Sequence, residues 1–307
     1  MQILLAESQR FSETAMAALR AVGRVQAEDL DRLALIDAVA DCDVLWVRLR
    51  HRIDREVLEA GLKLRFIVSP TTGLNHIDLE AAEDRGITVL SLKGETAFLD
   101  SIRATAEHTM ALTLALLRNL QPALDHVTHG GWNRDLFRGG EIMGKTVGLV
   151  GYGRLGRRVA EFFEAFGATV LTHDPLVDLD EPCELDDLLS RSDIVSLHVS
   201  LDASTEGFFG RKQFDAMKRG ALFINTSRGE LIDEDALLDG LRNGHLAGAG
   251  LDVLVDETSE GMAEHRLVQY AAEHPHLLIT PHIGGCTRES MEQTEIFMAE
   301  KLCAALS

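Results

Sequence analysis

"VGLVGYGRLGRRVAEFFEAFGATVLTHDP", Val147 to Pro175, decides the fold of this 307-residue chain. Val147 to Val150 has the length and composition of a buried parallel strand, Arg157 to Phe166 carries apolar residues at helical spacing, and Thr169 to Thr172 reads as the next strand. Together they make a βαβ unit. The first turn holds glycines at G-x-G-x-x-G spacing: Gly151 permits the turn, Gly153 leaves the backbone open to a pyrophosphate, and Gly156 lets helix pack on strand. Free N–H groups and the positive dipole end at the helix start suit phosphates. Glycine turns also serve ordinary strand-to-helix packing, so the spacing alone is weak. The carboxylate of Asp174 at the tip of the second strand completes the context, because it can accept hydrogen bonds from both hydroxyls of an adenine ribose and repels a 2′-phosphate. His173 and Pro175 offer no cation to reverse that preference, which predicts NAD over NADP.

Composition fits an α/β protein of two domains. The chain is long enough for a large core, and 46% hydrophobic residues with only 5% aromatics favour an Ala/Leu/Val-rich α/β architecture over an all-β one. A net charge of −19 argues against nucleic acid or an anionic membrane surface as partner, since both need excess Lys and Arg. Cys42, Cys183, Cys286 and Cys303 form no C-x-x-C pair, so neither a metal site nor a disulfide framework is expected, and reduced thiols fit a cytoplasmic home. "MQILLAES" is too short and too soon charged for a signal peptide. "ATAEHTMALTLALL", Ala104 to Leu117, contains Glu107 and His108 between Arg103 and Arg118, which predicts a buried helix rather than a membrane span.

Strands also lie on either side of the glycine turn. "ILLAE", "VLWVRL" from Val44, "RFIVS" from Arg65 and "ITVLSL" from Ile87 read as a separate parallel sheet with no glycine fingerprint. "IVSLHV" from Ile194, "ALFINTS" from Ala221, "AGLDVLV" from Ala249 and "LLITPHI" from Leu277 complete a doubly wound dinucleotide domain. Glu289 to Leu306 has helical spacing and is expected to return to the first half, giving a discontinuous substrate domain, 1–100 plus 286–307, around a cofactor domain, 101–285.

The polar residues of interest sit at strand ends. In "NTSRGELID", Arg228 follows a strand and precedes a helix capped by Asp233, which aims a planar guanidinium into the crevice where α/β sheets bind ligands. "AGAGLDVLVDET" places Asp252 at a strand end and Glu257 in the loop beyond; "ITPHIGG" places His282 behind Pro281. Taken singly these are a surface arginine, solvated acids and a structural histidine. Together they match the needs of alcohol oxidation: a base for the hydroxyl proton, a carboxylate fixing that base's tautomer, and a cation for the substrate. His282 is assigned as acid/base, Glu257 as its partner, and Arg228 as clamp and polariser.

"GYGRLG", "INTSRGELIDEDAL", "GHLAGAGLDV" and "TPHIGG", in this order and spacing, resemble the D-isomer-specific 2-hydroxyacid dehydrogenases, and within them the 3-phosphoglycerate dehydrogenases that lack a regulatory extension. The resemblance covers nearly the whole chain, including "GLNHIDLEAAEDRGI". It implies two Rossmann-like domains, one flavodoxin-like and one doubly wound, with a cleft between them, and a homodimer clasped by the cofactor domains. Arg228, Glu257 and His282 match the family's catalytic residues. The resemblance further implies cofactor contacts at Arg154, Leu155, Asp174, Thr205, and Thr226, Ser227 and Arg228, with Asp252 near the nicotinamide amide and His282 to Gly285, including Gly284, closing the site. Thr72, Gly73 and Leu74 match the loop that holds substrate carboxylate, and Glu107-His108 matches a segment at the domain junction.

Two features bear on substrate. "VRLRH" places Arg48 and Arg50 on one side of the chain, and in the phosphoglycerate enzymes such a pair grips phosphate; the alternative is two solvated arginines. The sequence departs from the family pattern at Thr258, where relatives carry Pro, and at Ser200; ending at Ser307, it is expected to lack serine feedback. The expected activity is NAD-dependent interconversion of a small anionic D-2-hydroxy acid and its 2-oxo acid, 3-phosphoglycerate first, glyoxylate or hydroxypyruvate next. Phosphite oxidation stays open, and Glu257 argues against formate enzymes, which carry Gln there. From another class, a non-catalytic NAD-sensing corepressor shares the fold and the triad.

Overall fold

The computed structural model describes residues 1–257 and 261–306. The chain divides into two units, Met1–Ile102 with Thr287–Ser307, and Arg103–Cys286. The first holds a parallel sheet of β1 (Gln2–Leu5), β2 (Arg24–Ala27), β3 (Val44–Trp46), β4 (Phe66–Ser69) and β5 (Thr88–Ser91), in the order β2-β1-β3-β4-β5. Alternation along each strand sends side chains to both faces. Leu4, Leu45 and Ile67 join a core with Leu35, Val57 and Leu58, while Ile3, Leu5, Val44, Trp46 and Val68 join another with Met16, Leu19, Met298 and Leu302. The C-terminal helix Arg288–Leu306 therefore completes the core of the N-terminal sheet, packing on the helix Glu13–Val22. The sequence reading omitted β2. Its four residues, Arg-Val-Gln-Ala, lie at the sheet edge and are mostly exposed, so no apolar run marks them.

The second unit holds β6 (Thr146–Val150), β7 (Thr169–His173), β8 (Ile194–Leu197), β9 (Leu222–Asn225), β10 (Gly248–Leu251) and β11 (Leu277–Ile279), all parallel, in the order β11-β10-β9-β8-β6-β7. Val147, Leu149, Ile194 and Ile224 pack with Met110, Val159 and Phe163; Val195, Leu197, Phe223 and Leu251 pack on the other face with Leu188, Leu237 and Leu241. The helix after the glycine turn begins at Arg154, three residues earlier than its apolar spacing suggests, because its first turn, Arg-Leu-Gly-Arg, holds a single large apolar residue. Asp233 caps the helix Glu234–Arg242, accepting a hydrogen bond from the Ala236 N–H at 3.0 Å. Strand order reverses between β1 and β3 in one sheet and between β6 and β8 in the other, and such switch points are where α/β sheets open a crevice at the strand ends. Among the described residues no helix is long and apolar enough to cross a membrane.

Candidate active site

The glycine turn lies at the β6/β8 switch point. Gly151 has φ +95°, and a Cβ there would stand 2.5 Å from the His198 carbonyl oxygen at the end of β8. A Cβ on Gly156 would stand 2.2 Å from the Gly151 oxygen. Both glycines are demanded by the protein's own backbone. Gly153 differs: nothing lies within 4 Å of where its Cβ would be, so no protein atom accounts for the missing side chain. It opens onto the start of the helix Arg154–Ala165, and helix starts, whose first N–H groups lack partners within the helix, favour an anion together with the helix dipole. That combination fits a dinucleotide pyrophosphate.

Asp174 is tied to the same turn. Its Oδ2 accepts from the Tyr152 N–H at 2.7 Å and its Oδ1 from the Leu176 N–H at 2.9 Å. Each carboxylate oxygen takes two donors, so both keep capacity for a ribose hydroxyl. Thr205 belongs to a turn in which its hydroxyl donates to the Ser200 carbonyl at 2.8 Å and accepts from the Asp202 N–H at 2.8 Å. At the end of β9 the Thr226 hydroxyl meets that of Thr109 at 3.0 Å, and the Ser227 hydroxyl donates to Leu197 O at 2.9 Å.

His282 and Glu257, expected as a pair, are in contact. His282 Nδ1 and Glu257 Oε1 are 2.5 Å apart, with both side chains about a quarter exposed, 21% and 27%. Glu257 is held from its other oxygen, which accepts from the Leu254 N–H at 3.2 Å. Arg228 leaves β9 in extended conformation and is half-buried. Burial pulls its guanidinium below the ordinary arginine value, and the carboxylates of Glu257 and Glu230 act against that, so Arg228 and His282 share Glu257 as electrostatic neighbour. Gly229 explains the approach: a Cβ there would fall 2.0 Å from the Leu254 carbonyl carbon, so the turn after β9 sits directly on the loop after β10.

Asp252 is buried at the end of β10. It is 1% exposed, and its oxygens accept from the Thr280 hydroxyl at 2.6 Å, the Ile283 N–H at 2.9 Å and the Gly284 N–H at 2.7 Å, with His108 Nε2 at 3.2 Å. A Cβ on Gly284 would stand 2.8 Å from the same carboxylate, whereas Gly285 faces open space. Protein donors surround this carboxylate, expected near a nicotinamide amide, and through them it ties down the histidine loop. Sequence reasoning also missed Asn225, fully buried at the end of β9, whose side chain accepts from the Ser227 N–H at 2.9 Å and donates to Arg228 O at 2.9 Å. The signal was present, since an Asn closing a strand often bonds its own following backbone.

Thr72, Gly73, Leu74, Arg48 and Arg50 belong to the first unit. Among the described residues no acceptor faces the amides of Thr72, Gly73 and Leu74, while the Thr71 hydroxyl donates to Gly73 O at 2.9 Å and shapes the loop. Arg48, expected as half of a phosphate grip, has protein partners of its own. Its guanidinium pairs with the buried carboxylate of Glu295 and donates to Gln9 O at 3.1 Å, so its charge is neutralised internally. The Arg50 guanidinium makes a 3.4 Å contact with Asp29, and its side chain stays 38% exposed. Thr258 lies outside the described residues.

Residues 110–284 match the family profile described as "D-isomer specific 2-hydroxyacid dehydrogenase, NAD binding domain". The chain is 36% identical over 284 residues to the D-3-phosphoglycerate dehydrogenase of Mycobacterium tuberculosis, covering 90% of this chain and 52% of that one, so it spans about half the length of that relative. It is 35% identical over 282 residues to the hydroxypyruvate reductase of Thermotoga maritima, covering 91% of this chain and 89% of the relative. The D-lactate dehydrogenase of Aquifex aeolicus, solved with NAD and lactic acid, superposes with a TM-score of 0.85 at 27% identity, over 100% of this chain and 95% of that one. Both fold and sequence agree: this chain belongs to the D-isomer specific 2-hydroxyacid dehydrogenases, a family of NAD-dependent oxidoreductases.

Proposed function

We propose that the chain interconverts a small D-2-hydroxy acid and its 2-oxo acid. The observation that carries this reading is the His282–Glu257 pair with Arg228 beside the same carboxylate. Bound NAD supplies the hydride acceptor, and the chain's residues supply the rest. With Glu257 on Nδ1, that nitrogen is the N–H of the neutral ring, and Nε2 is left as the lone pair that takes the hydroxyl proton. In the reverse direction the imidazolium returns it to the carbonyl oxygen. Arg228 polarises that carbonyl and clamps the substrate carboxylate. In the first unit the amides of Thr72, Gly73 and Leu74 also suit a carboxylate. The glycine turn, Asp174, Thr205 and Thr226–Arg228 are assigned to the cofactor.

Arg48, spent on Glu295, favours an unphosphorylated acid such as glyoxylate or hydroxypyruvate. The exposed, weakly paired Arg50 supports a second reading, 3-phosphoglycerate. NADH consumption with glyoxylate, hydroxypyruvate and phosphohydroxypyruvate separates them: turnover on the first two is expected, and turnover confined to the third selects the phosphorylated substrate. Tight NADH binding without turnover on any of them points instead to an NAD sensor.

A homodimer suits the second unit. Leu120, Leu124 and Val127 line one face of the helix Leu120–Thr128, which buries none of its residues, and are 48%, 59% and 49% exposed; Trp132 beyond it is 90% exposed. A contiguous apolar stripe of this kind suits a second copy. Light scattering is expected to give twice the chain mass, and Leu124→Glu to give a monomer. Four free cysteines support a cytoplasmic location.

A further inference from the structure

His282 adopts φ +53°, in the left-handed region that non-glycine residues enter only where their surroundings over-determine it. Its own N–H is spent on the backbone carbonyls of Asp252 at 2.9 Å and Thr280 at 3.0 Å. The next two amides, Ile283 and Gly284, both donate to the Asp252 carboxylate. The loop is thus wound around one buried acid, and the question becomes what holds that acid.

Proton counting gives the answer. Burial pushes the Asp252 carboxyl up, but its donors outweigh that and hold it below the usual carboxylate range, so it is ionised and carries no proton to give. The Thr280 hydroxyl has a single proton and donates it to Oδ1 at 2.6 Å. His108 Nε2 lies 2.9 Å from the Thr280 oxygen and 3.2 Å from Asp252 Oδ1. Both are acceptors, so Nε2 must carry the hydrogen. An Nε2 lone pair there would face a carboxylate oxygen. His108 comes from the helix Ala104–Leu117, which also sets Thr105 against Gly284. A rigid helix therefore delivers one N–H to the Thr280–Asp252 pair, and that pair fixes the loop bearing His282.

We propose that His108 is a positioning residue for His282, acting through Thr280 and Asp252 as an obligate Nε2–H donor. For its kinetic arm alone the proposal rests on the dehydrogenase reading. The test compares the full-length native chain with His108→Leu, which removes the donor, His108→Gln, whose amide nitrogen reaches the Nε2 position, and Thr280→Val, which breaks the same chain from its other side. Hydrogen exchange of a peptide covering 280–286 is expected to run about tenfold faster in His108→Leu and Thr280→Val, and near the native rate in His108→Gln, since bonds to charged acceptors are the stronger kind. In turnover of the best 2-oxo acid, kcat is expected to fall about tenfold to a hundredfold in His108→Leu. KM for NADH stays unchanged, and the isotope effect with 4-deuterated NADH rises as chemistry becomes limiting. His108→Gln restores both. If His108→Leu fails to fold, Thr280→Val carries the comparison. Native exchange in His108→Leu or Thr280→Val overturns the proposal, and so does equal damage in the Gln and Leu variants, which would mark His108 as packing alone. A native chain that turns over no acid sinks the dehydrogenase reading instead, and the exchange data still decide for or against His108.

Discussion

The two parallel sheets reverse direction in the same way and use the resulting crevice differently. At the β6/β8 reversal, Gly153 opens onto empty space at a helix start. At the β1/β3 reversal the chain fills the crevice with its own charges. Glu7, only 4% exposed, accepts from the Arg48 N–H at 2.9 Å and the Arg50 N–H at 3.4 Å, and the Arg48 guanidinium pairs with Glu295. Topology says where a crevice forms. Whether it takes a ligand depends on whether the groups pointing into it are already neutralised.

The largest expected effect lies at the working crevice. His282→Ala is expected to lower kcat on the best 2-oxo acid by about a thousandfold, within the usual range for general acid–base catalysis. NADH affinity should change little. Glu257→Gln keeps a hydrogen-bonding partner but loses the charge, so a smaller fall is expected. Retained activity in His282→Ala, measured by NADH consumption, would remove the functional distinction between the two crevices.

The filled crevice should respond in stability. Burial pushes the Glu295 carboxyl up, while the Ser12 N–H, donating at 2.7 Å, and Arg48 pull it back. Arg48→Met leaves that acid buried without its counter-charge, and removing one partner of a buried pair costs about 3 kcal/mol. The sign with pH follows from the acid left behind. Its folded pKa moves further above the unfolded value, so the folded state holds a proton the unfolded state has released, and the loss grows as pH rises. Urea unfolding is therefore expected to show a larger deficit at pH 8 than at pH 5. An Arg48→Met chain of native stability whose KM rises only for phosphohydroxypyruvate would instead make this crevice a phosphate site.

This contrast also sets what the sequence revealed. Strands with unbroken apolar runs, such as Val147–Val150 and Ile194–Leu197, were legible because both faces are buried, and the glycine spacing identified the turn. The edge strand β2 was not, since exposure on both sides leaves no pattern. Arg228, Glu257 and His282 stood out as residue types at strand ends or in the loop beyond, and the structure supplies the contact between the last two. The partner of Arg48 was not legible, for a physical reason. Its partner Glu295 is 247 residues away, and no local pattern reports whether a charge will be met from that distance. Asp252 and His108 share the difficulty, because their partners lie on other elements.

A smaller effect tests cofactor choice. Asp174→Ala removes the anchor that Tyr152 and Leu176 share and the carboxylate assigned to the ribose. NAD affinity is expected to fall about tenfold, the order of one or two charged hydrogen bonds, while NADP gains by lost repulsion. Titration of each cofactor by fluorescence checks this. A native chain that prefers NADP would reverse the reading of Asp174.

A last test separates the crevices by acid response. His198 ends β8 against the glycine turn, with Nε2 3.0 Å from the Ser196 hydroxyl and Nδ1 buried without a partner among the described residues. Burial pushes its imidazole down to about 3. The folded chain therefore keeps His198 neutral where the unfolded chain, titrating near the ordinary 6.5, binds a proton. Between those values the unfolded state holds more protons, so stability falls as pH falls, by at most about 1.4 kcal/mol per pH unit from this one group. Above 6.5 the group contributes no slope. His198→Gln removes the titration and is expected to flatten the loss between pH 6 and pH 4 relative to the native chain. Carboxylate pairs common to both chains cancel in that difference. Parallel stability curves for the two proteins would mean that the ring reaches water, and that the backbone of the glycine turn, rather than a buried imidazole, closes the floor of the open crevice.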